Sequence, residues 1–398
     1  MRIVKKGFTL LYSILFATFI LFGASITLVG AILPRIFSDF GWSYVEAGTV
    51  LAAGAVGSFV ATFLAGRFLH ILGIRFLLLL GVILEILCLA FFGSSPSLLA
   101  SLLLYAGVGF GQGCLEVGVN WSVVRMSPDG EGRAMNLVHG AFSIGAVAGP
   151  VLAAAILASG LAWNLAFKFV ALVYVLIFIA ATVLPLGILG RENSSSASRL
   201  RGLAARPAWW MGFLLLFLYV GAEMGISNWS AEFFVKTFGS GIEVGAMTVS
   251  LFWSGLVAGR LGFPLLLPRA RTDRLIIVLA TGFAVSMGLI LAAGALGRPA
   301  LPLGLAAIAL AGLGASCVYP SGVTLVGAAF PEGQASALGF ASTGGGIGAF
   351  VFPFAMSAIS GRSGLIAGFA FFAGLAILTA AAAVGLSATS REHHRGRH

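Results

Sequence analysis

Charge is what this 398-residue chain has least of: Asp, Glu, Lys and Arg make up only 9% of it, with 13 acidic residues against 23 basic ones. A soluble globule of that length needs far more charge to cover its surface, so a soluble fold is excluded. Cysteine is nearly absent too. Cys88, Cys114 and Cys317 all fall inside apolar runs, which offers neither a disulfide framework nor a metal-ligand spacing and leaves them as packing residues. No Ser/His/Asp set, metal-spaced cluster or nucleotide loop is present, and the His393-His394 pair lies in a basic tail. The signatures of an enzyme are therefore missing.

What the chain has in excess is apolar side chains, 59% of residues, with a mean hydropathy of +1.06. It reads as an integral membrane protein. A net charge of +10 would suggest nucleic acid in a soluble protein, but here the basic residues lie between the hydrophobic runs, where topology accounts for them. Apolar runs of about 20 residues each span a bilayer as a helix. Twelve are expected, near 9–33, 43–66, 74–94, 97–124, 134–158, 165–189, 208–235, 244–266, 274–296, 300–328, 334–360 and 364–387. The first follows Arg2, Lys5 and Lys6, is too long for a cleaved signal and lacks a small-residue cleavage site, so it is read as retained. The expected fold class is an all-α membrane protein with twelve transmembrane helices.

Orientation follows from the basic residues. Arg35, Lys168, Lys236, Arg298 and Arg362 fall on one side, and the remainder of the 23 fall on the other. By the positive-inside rule both termini are cytoplasmic, in a multi-pass protein of the cell (cytoplasmic or inner) membrane.

The chain also repeats itself. Pro128–Pro150 aligns without gaps on Pro331–Pro353, pairing Pro128 with Pro331, Gly130 with Gly333, Ala134 with Ala337, Gly145 with Gly348 and Pro150 with Pro353. A second echo sets Ala65-Gly66-Arg67 against Ala258-Gly259-Arg260, read as the cytoplasmic end of the second helix in each half. Two six-helix bundles in the same orientation are expected: residues 1–190, a Ser- and Arg-rich cytoplasmic linker at 191–207, and residues 208–398 with a short basic tail.

Within the apolar runs the polar residues are few and placed in rows. Gln112, Glu116 and Asn120 lie at i, i+4 and i+8 on one face of the fourth helix. A carboxylate at the bilayer centre costs at least ~2.5–3.5 kcal/mol, so Glu116 is expected to face a bundle interior or a wet cavity. Tyr219, Glu223 and Ser227 form a second such row, beside Asn228 and Trp229. Competing structural roles stay open: Glu116 and Glu223 as interhelical hydrogen-bond partners, Glu85 on a peripheral third helix, and Glu46, Glu232 and Glu243 as interfacial groups. His139 binds substrate, carries a proton or packs. The glycine runs 107–113 and 344–348 read as sites of close helix approach rather than phosphate loops.

Gly66 through Arg75, with glycines at 66 and 73 and His70 where an acid is usual, is similar to the loop between helices two and three of major facilitator transporters. The resemblance covers nearly the whole chain, and it implies gating roles for Gly66, Arg67, Gly73 and Arg75 and, by the echo, for Gly259 and Arg260. More narrowly, Gly113-x-x-Glu116-x-x-x-Asn120 followed by Asn136-x-x-His139-Gly140 and Gly149-Pro150 resembles the fucose-permease-like sugar symporters, a group that includes the sodium-dependent glucose transporter branch. Tyr219 to Glu223 with Trp229, and Phe252-Trp253-Ser254-Gly255, resemble their seventh and eighth helices.

That resemblance implies a central cavity lined by the first, fourth, seventh and tenth helices. The polar groups then expected at the substrate are Gln112, Asn120, Asn136, His139, Tyr219, Glu223, Asn228, Trp229, Trp253 and Tyr319, with Glu116 as the coupling residue. Neutral donors and acceptors beside aromatic rings suit a hexose-like sugar, and no Arg or Lys in the middle of those helices offers a fork to an anion. One departure bears on coupling: the first-helix aspartate of proton-coupled fucose permeases, four residues before a Leu-Pro turn, corresponds here to Gly30 before Pro34. The coupling ion is then sodium or a proton, with uniport open. No other cofactor is implied, and a monomer is. The alternatives are a proton-driven exporter of amphipathic compounds, for which the 33 Phe speak, and a non-transporting sensor.

Overall fold

Lipid offers backbone N–H and C=O groups no hydrogen bonds, so a chain this apolar must satisfy them within helices. The computed structural model describes residues 2–126, 131–182, 204–267, 269–330 and 333–395. Among them there is no strand, and twelve helices are long and apolar enough to cross a membrane. In chain order they are span 1 (Leu10–Phe40), span 2 (Tyr44–Ala65), span 3 (Ile71–Phe91), span 4 (Leu98–Met126), span 5 (Leu137–Ala158) and span 6 (Leu165–Thr182), then span 7 (Pro207–Phe238), span 8 (Ile242–Leu266), span 9 (Thr272–Leu296), span 10 (Arg298–Ala329), span 11 (Ser336–Ser363) and span 12 (Leu365–Thr389). Most of the expected linker, Pro128 and Gly130 of the first repeat and Pro331 of the second lie outside the described residues.

Two compact units result: Met1–Trp42 with Thr49–Ser195, and Ser43–Gly48 with Ser196–His398. Each is built on the same pattern of backbone contacts made possible by glycine. In the first unit Gly145 of span 5 lies against the Ile20 carbonyl of span 1, and in the second Gly348 of span 11 lies against the Phe217 carbonyl of span 7. Gly109 of span 4 meets Gly54 of span 2; Gly312 of span 10 meets Phe252 of span 8. Without a hydrophobic force between helices in lipid, such close approach supplies the packing energy. The glycine run of span 4 works on two faces: Gly107 and Gly111 touch span 3 at Cys88 and Gly81, whereas Gly109 and Gly113 touch span 2. Gly312→Ala would drive a methyl into the Phe252 carbonyl, a cost of about 1–3 kcal/mol. A clear drop in melting temperature in detergent is expected, against no change for Gly282→Ala, where nothing lies within 4 Å.

Three expectations change. Span 1 runs past its expected end near residue 33; its helix continues through Pro34 to Phe40. The extension is held by the Arg35–Asp39 ion pair at 3.0 Å and by Trp163, whose indole donates to Asp39 at 2.9 Å. Span 3 is not peripheral at Glu85, which is fully buried. The echo between Ala65-Gly66-Arg67 and Ala258-Gly259-Arg260 is not a structural equivalence. Gly259 packs on Ser316 much as Ala61 packs on Gly113. Arg260 therefore takes the place of Thr62, and Arg67 that of Leu265, five residues further along the span.

Candidate functional site

In the second unit the site is organised by a break in span 10. The helix Leu301–Ala315 stops and a new one, Val318–Ala329, begins across Ser316 and Cys317. Pro320 accounts for this: it has no N–H for the Ser316 carbonyl four residues earlier, and its ring crowds that carbonyl. The freed acceptors are taken up by side chains. Arg260 Nε donates to Ser316 O at 3.1 Å, and the Tyr219 hydroxyl lies 2.9 Å from Ala315 O and 2.7 Å from Glu223 Oε1. Arg260 Nη2 also pairs with Glu223 Oε1 at 3.6 Å. Gly259 is the enabling residue, because a Cβ there would collide with the Ser316 side chain and hold span 8 off the break.

A guanidinium therefore does reach the interior of the seventh and tenth spans. It comes from span 8, and Glu223 neutralises it. Arg260 is thus an internal counterion in this structure rather than a group at the membrane edge, the position expected for a gate. Nearby, Trp253 is buried and its indole donates to Ser227 Oγ at 2.9 Å. Trp229 is also buried, edge-on to Tyr44 at 5.9 Å, and the Tyr44 hydroxyl donates to Glu232 at 3.3 Å. Tyr219, Glu223, Trp229 and Trp253 are accordingly engaged with protein, and Asn228 and Tyr319 are half-buried.

In the first unit the row on span 4 keeps its register but not one environment. Gln112 is buried and its amide donates to Ser25 Oγ of span 1 at 3.2 Å. Glu116, one turn on, is half-buried, and no hydrogen bond or ion pair occupies its carboxylate among the described residues. Asn120 completes the row with a buried Oδ1 that has no hydrogen-bond partner among the described residues. The fifth-helix pair is less central. Asn136 lies on the helix Glu131–Ala158 that carries span 5, with its side chain outside the described residues, and His139 is exposed with its ring edge-on to Phe19 at 5.8 Å.

Of the loop residues, Gly73 has φ +76°, a left-handed conformation that glycine adopts without strain and that lets the chain turn from span 2 into span 3. Arg75 donates to the Thr182 carbonyl at 2.9 Å and so ties span 3 to span 6. The side chains of Gly66, Arg67 and His70 lie outside the described residues. Glu46 completes a capping box with Ser43, accepting from its backbone N–H at 2.7 Å and its hydroxyl at 2.8 Å.

Two features escaped sequence reasoning. Pro320 carried a readable signal, since a proline inside an apolar run frees the carbonyl four residues before it. Glu85 was visible as an isolated acid, but only the packing places it beside Tyr174 and Ser25. Among the described residues no group of three or more His, Cys, Asp or Glu side chains could hold a metal ion.

The sequence profile of the Major Facilitator Superfamily matches residues 14–308. A TsgA homolog of Edwardsiella ictaluri is 24% identical over 273 residues, 67% of this chain and 68% of that protein. TsgA of Salmonella paratyphi C is 24% identical over 318 residues, covering 78% of this chain and 77% of that one. The crystal structure of the nucleoside transporter NupG superposes with a TM-score of 0.78 at 16% identity, over 96% of this chain and 99% of that one. A D-xylose-proton symporter superposes with a TM-score of 0.76 at 14% identity, over 96% and 97% of the two chains. A duplicated twelve-span architecture and a family match across most of the chain have one reading: the protein belongs to the Major Facilitator Superfamily and is a multi-pass membrane transporter of a small molecule, not an enzyme.

Proposed function

We propose that the protein is a secondary active transporter of a hexose-like sugar in the cell membrane, working by alternating access with sodium or proton symport and with both termini cytoplasmic. The observation that carries this reading is the row on span 4. Glu116 and the Asn120 carbonyl keep hydrogen-bonding capacity that the protein does not spend on itself, and hydroxyl groups supply matching donors. The Tyr219–Glu223–Arg260 set supports it from the second unit: its charges are balanced internally, so the ligand it suits is neutral. Two solved neighbours are by name a nucleoside transporter and a D-xylose-proton symporter, both with hydroxyl-rich substrates.

The aromatic residues count against an exporter of amphipathic compounds. Many Phe rings pack on one another within the second unit, Phe233 on Phe369 at 3.8 Å, Trp209 on Phe340 at 4.7 Å and Phe217 on Phe352 at 4.5 Å. They serve helix packing and do not need a greasy ligand to explain them. Uptake of a labelled panel of hexoses, pentoses and nucleosides into proteoliposomes, under separately imposed sodium and pH gradients, is the test. Concentrative hexose uptake under one gradient is expected; no sugar flux together with gradient-driven expulsion of a lipophilic dye would replace this reading with the exporter. In the same assay Asn120→Ala is expected to raise the sugar Kd roughly 2- to 12-fold, the worth of one neutral hydrogen bond. An unchanged Kd would move the site off span 4.

A further inference from the structure

Glu85 of span 3 has no role in that reading, yet it is the most confined acid among the described residues. It is 0% exposed; the Ser25 hydroxyl of span 1 is close enough to act on it as a donor, but neither carboxylate oxygen makes a hydrogen bond of good geometry among the described residues. The Tyr174 hydroxyl of span 6 is in the same condition, 0% exposed, close to Ser25 and without a hydrogen bond of good geometry among the described residues. Both neighbour Ser25 of span 1. The Ser25 hydroxyl is already committed: it donates to Phe22 O at 3.1 Å and accepts from Gln112 at 3.2 Å. The titratable groups in the electrostatic neighbourhood of Glu85 are Cys88 on its own helix, Tyr105 on span 4 and Tyr174 on span 6. None is a base, and among the described residues no cation acts on Glu85.

An ionised carboxylate without a donor or counterion is not sustained in a dry interior. A native protein that keeps three such oxygens together has a use for them or a species that joins them. The space beside them is not solid. A small cavity of ≈ 20 Å³, room for one water, is lined by Val82 and Ile177, one turn from Glu85 and Tyr174, and by Thr18 and Leu115 on spans 1 and 4. Apolar walls keep such a cavity dry at rest, so water reaches it only as the bundle rearranges, and a metal cation would have to shed its hydration shell to follow.

We propose that Glu85, with Tyr174 and Ser25 beside it, is a proton-binding site inside the first bundle, and that the Glu85 carboxyl gives its proton to water entering through the adjoining cavity when that bundle rearranges. The carboxyl O–H bond breaks, the carboxylate keeps the electron pair, and water takes the proton. Gln112 connects this acid to the substrate row, since it bonds Ser25 and stands one turn from Glu116. The proposal rests on the transporter reading for its purpose, but its first test does not.

That test is the infrared difference spectrum of the purified wild-type protein against Glu85→Gln, recorded without substrate as pH is raised. A carboxylic C=O band belonging to Glu85 is expected at neutral pH and is expected to bleach at high pH while the protein stays folded. Absence of the band at neutral pH, or its persistence to the highest pH at which the fold survives, overturns the proposal. Should the Gln variant not fold, Glu85→Asp, which keeps an acid and shifts its band, supplies the assignment. The second test is transport: Glu85→Gln is expected to flatten the pH dependence of net uptake by at least tenfold while equilibrium exchange of labelled sugar continues. An unaltered pH dependence also overturns the proposal. If no member of the sugar panel moves in the wild type, the transporter reading of the substrate fails and the spectrum still decides Glu85.

Discussion

Arg260→Met is expected to cause the largest loss of stability among single substitutions in the second unit. Breaking a buried ion pair strands the remaining charge, at a cost of about 3–5 kcal/mol. The low end applies here, because Arg260 retains 26% side-chain exposure and stands 3.6 Å from Glu223, whose own side chain is 7% exposed. A second loss adds to it: the Ser316 carbonyl, already deprived of an intrahelical donor by Pro320, loses the Arg260 N–H as well. Two companions separate these causes. Arg260→Met with Glu223→Gln removes both charges and is expected to recover most of the melting temperature in detergent. Arg260→Met with Pro320→Ala restores a backbone donor to Ser316 and is expected to recover a smaller part. Strict additivity in both double mutants would mean that the pair and the break are energetically independent, contrary to the geometry.

The fold was legible because lipid imposes simple rules on sequence. Runs of apolar residues marked the spans, and the Gly145/Gly348 pairing marked a duplication that recurs as the same backbone contact in both units. The row from Gln112 to Asn120 was legible for the same reason, since i, i+4 spacing survives any tertiary arrangement. Depth and partnership were not. Arg260 looked like an edge residue because short sequence echoes carry no depth, and only the approach of span 8 to the broken span 10 sets it inside. Sequence places Trp253 among polar groups but does not show that its indole donates to Ser227. Glu85 looked peripheral because burial in a bundle depends on which helices surround it, and an apolar neighbourhood reads the same in sequence whether its far side is protein or lipid.

Glu116→Gln is expected to keep sugar binding and abolish uphill accumulation. The amide matches the carboxyl in size and still offers a hydrogen-bonding oxygen, so the Kd is expected to shift by no more than a few-fold. What the amide cannot do is change charge. Symport requires a group whose charge changes when the ion arrives; a cation moved across 100 mV contributes about 2.3 kcal/mol, which sustains roughly a 50-fold concentration ratio. Without it, uptake should stop at equal concentrations inside and out, while exchange of labelled for unlabelled sugar continues. Among the described residues no hydrogen bond or ion pair occupies the Glu116 carboxylate, so a loss of coupling cannot be put down to a broken structural pair, as it could for Glu223. Binding by titration calorimetry and uptake in proteoliposomes, measured on the same preparation, give the two halves of the prediction. Full accumulation by Glu116→Gln would end its coupling role, and if the pH dependence then still vanished in Glu85→Gln, the proton would be assigned to the buried acid alone.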